Sequence, residues 1–197
     1  MIDIHAATLY GIIDLGYVKP EDIPERTRQL LAGGVDLLQL RAKEQPLDSI
    51  RKWAEQIQPL CVEAGVPFIV NDYPEITKEV QADGVHIGQD DGTLLSVREI
   101  VGSDILVGRS THSVEQAELA LEEGFNYIGF GPVYPTPTKA GRPAIGLENI
   151  SEVQDTVGTQ IAGAESVVIV SGLLSADDPE DTTREVKERL KGGIPRI

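Results

Sequence analysis

The chain has 197 residues, 41% hydrophobic and 25% charged, and its 32 acidic against 17 basic residues give a formal net charge of -15 at pH 7. That length suits one well-cored domain spanning 1–197, the composition is ordinary for a globular protein with no apolar run of bilayer length, and so acidic a chain argues against a nucleic-acid partner. A single cysteine, Cys61, cannot close an internal disulfide, and the first residues lack a basic segment followed by an apolar one, so a cytoplasmic location is expected, with a homo-oligomer left open.

In chain order, short apolar runs alternate with longer segments of helical period, the pattern of repeated βα units around a parallel sheet. The first strand is predicted at Leu9–Asp14, with a helix beginning near Pro20. The second, Val35–Arg41, runs into Gln39-Leu40-Arg41-Ala42-Lys43, where alternate residues share a side and Gln39, Arg41 and Lys43 can converge. From Pro46, a helix places Leu47, Ile50, Trp53, Ala54, Ile57, Leu60 and Cys61 on one face, so Cys61 is read as packing. The third strand, Pro67–Asn71, ends in Asn71-Asp72 ahead of a helix at Pro74; the fourth, Gly84–Ile87, ends in His86-Ile87-Gly88-Gln89-Asp90-Asp91 ahead of one at Thr93. A fifth, Ile105–Gly108, leads into Arg109-Ser110-Thr111-His112, after which Ser113 reads as an N-cap with Gln116 completing a capping box. After the sixth, Tyr127–Gly131, comes Pro132-Val133-Tyr134-Pro135-Thr136-Pro137-Thr138-Lys139, a stiff loop with two threonines and a cation, and then a helix near Leu147. The seventh strand, Ser166–Ser171, precedes a helix from Pro179 whose charge run is expected to be a solvated face.

In a barrel of parallel strands, reactive groups collect at the C-terminal strand ends, and polar residues are dense there. Arg41, Lys43 and Lys139 suit a diphosphate, the guanidinium gripping two oxygens and each lysine acting as a point charge. Asp72 and Asp91 suit Mg²⁺, which takes a few protein oxygens and completes its shell with water and phosphate. Each residue alone has an ordinary reading: a surface charge at a strand end, a helix cap, a turn threonine. His86, inside an apolar strand, reads first as a hydrogen-bonded core histidine, His112 is evenly balanced, and His5, His86 and His112 have no zinc spacing.

Five segments in fixed order resemble the thiamine-phosphate synthase family over Leu9 to Leu190: Gln-Leu-Arg-x-Lys at 39–43, Asn-Asp at 71–72, His-x-Gly-Gln-x-Asp at 86–91, Ser-x-His at 110–112 and Gly-Pro-Val-Tyr-Pro-Thr-x-Thr-Lys at 131–139. The resemblance implies a TIM (β/α)8-type barrel and Mg²⁺-dependent joining of a pyrimidine diphosphate to a thiazole phosphate with loss of pyrophosphate. It implies that Gln39, Arg41, Lys43, Asn71, Ser110 and Lys139 hold the pyrimidine diphosphate, that Arg41, Lys43, Ser110 and Lys139 serve catalysis, and that Asp72 and Asp91 bind Mg²⁺. Thr136, Thr138, Val170 and Ser171 would contact the thiazole phosphate.

The family's barrel has a strand with a glycine-rich phosphate turn and a helix between the sixth unit and the last. Here the chain passes from Val157-Gly158-Thr159-Gln160-Ile161 directly to Ala162-Gly163-Ala164, so the barrel lacks part of its seventh βα unit. Weakened thiazole-phosphate binding or loss of activity is the expected consequence. Two other functions stay open: a thiazole tautomerase of the same superfamily, with His112 moving the proton, and a catalytically impaired barrel that binds thiamine phosphates.

Overall fold

The structure is a computed structural model and describes residues 4–134, 144–146, 149–150, 152–153 and 166–191. Among the described residues, seven parallel strands form one sheet: β1 (Leu9–Asp14), β2 (Leu37–Arg41), β3 (Phe68–Asn71), β4 (Gly84–Ile87), β5 (Leu106–Thr111), β6 (Tyr127–Phe130) and β7 (Val167–Ile169), in the order β6-β5-β4-β3-β2-β1-β7. Connecting them are helices α1 (Ile23–Gly33), α2 (Leu47–Ala64), α3 (Pro74–Glu79), α4 (Leu94–Val101) and α5 (Val114–Glu123), and β7 is followed by α6 (Ser171–Leu174) and α7 (Pro179–Lys191). Asn149, Ile150, Glu152 and Val153 are also helical, within the helix expected from Leu147.

Each strand has two faces because successive side chains alternate. Leu9 and Ile13, Leu38 and Leu40, Phe68 and Val70 belong to one core beneath the helices, and Val85, Ile87, Val107 and Ile128 to its continuation. The opposite phase carries Tyr10, Leu37, Ile69 and Tyr127, a separate inner cluster. Tyr10 on β1 and Tyr127 on β6 stand at opposite ends of a six-strand run, which laid flat would separate them by roughly 24 Å at about 4.8 Å per strand. Their ring centroids are 6.2 Å apart, so the sheet is strongly curled about this inner face. Small residues make room for the curl: a Cβ on Gly84 would lie 2.5 Å from Ile69 Cδ1 and 2.9 Å from the carbonyl oxygen of Leu106.

Local signals mostly act as read. Gly34, Gly65 and Gly124 end α1, α2 and α5 in the left-handed region, and Thr93 caps α4 through a complete capping box with Ser96. Three expectations change. Strand five reaches Thr111 rather than stopping at Gly108, so Ser110 sits in the sheet. Strand seven is only Val167–Ile169, and Ser171 opens a short helix. Ser113 does accept a hydrogen bond from the Gln116 amide, but the Gln116 side chain accepts from the amide of His112 instead of closing a box on Ser113.

The terminal helix is not merely solvated. Lys187 on α7 pairs with Asp36 and donates to Thr8 Oγ1, and Asp36 Oδ2 also accepts from the amides of Thr8 and Leu9, each at 2.8 Å. Burial pushes the Asp36 carboxyl up, but the bonds from Lys187, Leu9 and Thr8 outweigh it and hold the group below its ordinary value. Its stabilising contribution is therefore present above the unfolded carboxylate value of about 3.9 and is lost as pH falls through the folded one. Asp36→Ala strands two backbone donors and a partly buried ammonium and should lower unfolding free energy by about 2–3 kcal/mol at pH 7 in urea melts. A loss well under 1 kcal/mol would show that this carboxylate does not tie α7 to β1.

Candidate active site

The inner face turns polar toward the C-terminal ends of the strands. Gln39 and Asn71 are buried there, as are Asp14 and His86, with Arg41, Asp72 and Ser110 partly covered and Lys43 half exposed. Register explains why they meet: Asp14 lies opposite Arg41, and Asn71 opposite His86, on neighbouring strands.

Arg41 Nη1 donates to Asp14 Oδ2 at 2.7 Å, while Asp14 Oδ1 accepts from the amide of Gly16 at 2.8 Å. A guanidinium is a planar fork of five N–H donors, so this pairing orients a group whose shape and charge suit an oxyanion. Lys43 Nζ lies 3.3 Å from Asp72 Oδ2. Asp72 holds a left-handed backbone at φ 69°, rare for a residue with a side chain, while its amide donates to the His86 carbonyl at 2.9 Å. Such strain is held by its surroundings and often marks a functional position.

Burial pushes the Asp72 carboxyl up; Lys43 opposes this, and the nearby Asp91 carboxylate raises it further. Asp91 Oδ2 is itself oriented by the Gly88 amide at 2.8 Å. Two carboxylates close enough to repel one another, Asp72 partly buried and Asp91 exposed, are a donor set that a hard divalent cation relieves. With the oxygens of a phosphate and water to complete six-fold coordination, the pair fits Mg²⁺. Among the described residues no group of three or more His, Cys, Asp or Glu gathers as a self-sufficient metal site.

The loop carrying Asp91 is strapped from β5. Arg109 stacks over the Phe125 ring at 5.3 Å and donates to the carbonyls of Gly92 and Gln89, at 2.7 and 3.1 Å. Gln89 Nε2 in turn donates to the Ser110 carbonyl at 2.6 Å. Asn71 Nδ2 is buried and has no partner among the described residues, an uncommon state for a buried donor.

Known proteins share this sequence pattern and fold. The family model described as thiamine monophosphate synthase matches residues 9–175. This chain belongs to that family. The thiamine-phosphate synthase of Thermus thermophilus is 40% identical over 185 aligned positions, covering 85% of this chain and 89% of the relative. That of Bacillus mycoides is 38% identical over 188 positions, covering 85% of each. The structure of thiamine phosphate pyrophosphorylase from Pyrococcus furiosus matches with a TM-score of 0.86 at 26% identity, over 96% of this chain and 98% of that one. Since 85% of 197 residues is fewer than 185 positions, the Thermus alignment opens gaps on this chain's side.

Of the residues singled out in the sequence of this thiamine monophosphate synthase family member, Gln39, Arg41, Lys43, Asn71, Asp72, Asp91 and Ser110 all belong to the C-terminal strand ends or the loops leaving them. Val170 follows β7, with Ser171 opening α6 on the same rim. Thr136, Thr138 and Lys139, and the shortened stretch around Ile161 to Gly163, lie outside the described residues. Cys61 is fully buried, and burial, with a smaller push from Asp83, raises its thiol to about 12, as packing requires. Four residues had drawn no functional notice in the sequence: Asp14, which orients Arg41, Tyr10 and Tyr127 on the inner face, and Arg109, which straps the Asp91 loop. Asp14 could have been found as an acid at the end of β1 in register with Arg41; the two tyrosines carried no signal beyond ordinary strand propensity.

Asp72 also makes stability depend on pH. Between the unfolded carboxylate value of about 3.9 and its raised folded value, the folded chain keeps a proton that the unfolded chain has released, so stability from this group falls as pH rises through that window. Asp91→Asn keeps an oxygen for the Gly88 amide and removes the repelling charge. Urea melts without divalent cations should show this variant gaining on the parent as pH rises from about 4 to 7, reaching about 1 kcal/mol; parallel stability curves would rule the repulsion out.

Proposed function

We propose that this chain is a thiamine-phosphate synthase, a transferase that condenses 4-amino-2-methyl-5-hydroxymethylpyrimidine diphosphate with 4-methyl-5-(2-hydroxyethyl)thiazole phosphate to give thiamine phosphate and pyrophosphate. Support comes from family membership and from the gathering of Arg41, Lys43, Asp72 and Asp91 at one end of the sheet, with the unpartnered Asn71 amide beside them. In this reading the curled sheet is a single-domain (β/α)8-type barrel reduced by part of its seventh unit, in keeping with the gaps in the alignment.

In such a condensation the bond between the pyrimidine methylene and the diphosphate oxygen breaks with both electrons leaving on the diphosphate. The methylene carbon becomes a cation stabilised by the amino-substituted ring, and the lone pair of the thiazole nitrogen closes the new C–N bond. No protein nucleophile is needed. The residues' task is to accept charge building on the departing pyrophosphate and to keep the partners in register. Arg41, held by Asp14, would grip diphosphate oxygens as a fork, and Lys43 and Lys139 would add point charges. Gln39, Asn71 and Ser110 would hold the pyrimidine; Thr136, Thr138, Val170 and Ser171 would receive the thiazole phosphate. Asp72 and Asp91 would hold Mg²⁺, which when bound neutralises charge on the diphosphate oxygens and orients them.

Arg41→Met tests the cation that the structure orients. It should lower kcat/KM for the diphosphate by about 10²–10³-fold, as loss of a preorganised charge stabiliser does, and should destabilise the fold by about 3 kcal/mol, since Asp14 loses its buried partner. The function itself is tested by supplying both substrates and Mg²⁺ to purified protein, with a chelator control, and following thiamine phosphate by mass spectrometry. Product that disappears with chelation is expected. A folded protein that makes no thiamine phosphate, yet isomerises a thiazole carboxylate phosphate or merely binds thiamine phosphate, would overturn the assignment.

A further inference from the structure

A chain of buried hydrogen bonds crosses the inside of the curled sheet and ends on two residues assigned above to the pyrimidine, so the following rests on that reading. Tyr10 Oη lies 3.0 Å from Gln39 Oε1 and 3.2 Å from Tyr127 Oη; Tyr127 Oη lies 3.3 Å from His86 Nδ1; His86 Nε2 lies 3.0 Å from Ser110 Oγ. Five residues on strands β1, β2, β4, β5 and β6 are thereby joined through the interior. Space is reserved for them, because a Cβ on Gly108 would collide with the Tyr127 ring and lie 2.6 Å from His86 Nδ1.

The direction of every bond in this chain follows from counting protons. Gln39 Oε1 carries none, so the Tyr10 hydroxyl donates to it. That uses the only proton on Tyr10, so Tyr127 donates to Tyr10. Tyr127 then has no proton left, and His86 Nδ1 must carry one and donate to it. In a neutral imidazole this leaves Nε2 as a lone pair, which accepts from the Ser110 hydroxyl. Both tyrosines keep their protons, since burial, with Tyr127 adding to it at Tyr10, pushes them well above their ordinary value. The consequence lies at the two ends: Ser110 Oγ has only lone pairs to offer a ligand, and Gln39, its oxygen turned to Tyr10, is left with its amide N–H groups directed away from that bond.

We propose that Tyr10, Tyr127 and His86 form a one-directional hydrogen-bond relay that sets Ser110 as acceptor and Gln39 as donor, so that the site selects a ring bearing an amino group beside an acceptor nitrogen. His86, Tyr10 and Tyr127 are then positioning residues for substrate choice. An oxo analogue, with a carbonyl in place of the amine and a protonated ring nitrogen beside it, presents the opposite polarity at both ends and is rejected because buried groups are left unpaired.

Two measurements test this, one of which needs neither substrate nor turnover. Nitrogen-15 NMR of the histidine-labelled protein at about pH 8 reads which ring nitrogen of His86 holds the proton; with three histidines in the chain, loss of one signal in His86→Asn assigns it. Protonated Nδ1 with bare Nε2 is expected, and the opposite tautomer or a doubly protonated ring overturns the relay. Calorimetry then compares the amino and oxo pyrimidine diphosphates. The parent should prefer the amine by about 10²-fold, and Tyr127→Phe, which keeps the ring but removes the central hydroxyl, should narrow the preference to about tenfold or less with thiazole phosphate affinity unchanged. Tyr10→Phe serves as the second variant if Tyr127→Phe does not fold. An unchanged preference in the folded variant overturns the proposal. If the parent fails the coupling assay, the synthase reading falls, while the histidine tautomer still decides the relay.

Discussion

Everything at this site depends on the alternation of side chains along parallel strands that are bent tightly about one face. The outward phase is apolar and lies under the helices, where Leu38, Leu40, Phe68, Val70, Val85 and Val107 lose essentially all contact with water. Inward, the phase is confined by curvature, and that confinement brings Tyr10 within hydrogen-bond reach of Tyr127 although four strands separate them in the sheet order. Polar groups forced into so narrow an interior must pair with one another or wait for a ligand. Most pair. Asn71 Nδ2 is buried without a partner among the described residues, the condition of a donor that a ligand could satisfy.

Charge at the rim is arranged by the same geometry. Parallel register sets Asp14 beside Arg41, which converts a flexible cation into an oriented one. The left-handed turn at Asp72 brings its carboxyl toward Asp91 at the cost of mutual repulsion, a strain that binding of a divalent cation would relieve. Arg109, on the outward phase of β5, reaches back to two carbonyls of the Asp91 loop, so the loop's position is tied to the strand that carries Ser110. An acidic chain can thus still carry fixed local positive charge, because Arg41 and Lys43 are each held by a carboxylate at the rim.

A second set of fixed charges stands at the opposite ends of the strands. Asp36 gathers the first strand and α7 at the N-terminal ends of the strands, the opposite end of β2 from Gln39 and Arg41. In barrels of parallel strands the N-terminal ends serve stability and the C-terminal ends are where reactive groups collect.

The sequence alone determined the order of βα units, the seven strands and the motif residues that crowd their C-terminal ends, because period-two and helical patterning are local properties and the polar residues interrupt them visibly. It misjudged where strand five ends and how Gln116 is used, since both depend on what the neighbouring strand or loop offers as a partner. Only the tertiary structure decided that Asp14 orients Arg41, that Lys187 closes onto Asp36, and that Tyr10, Tyr127, His86, Gln39 and Ser110 share one hydrogen-bonded chain. Those contacts join residues up to 151 positions apart, and they come from strand register, from the docking of the last helix and, for Tyr10 and Tyr127, from the curl of the sheet, none of which a single segment encodes.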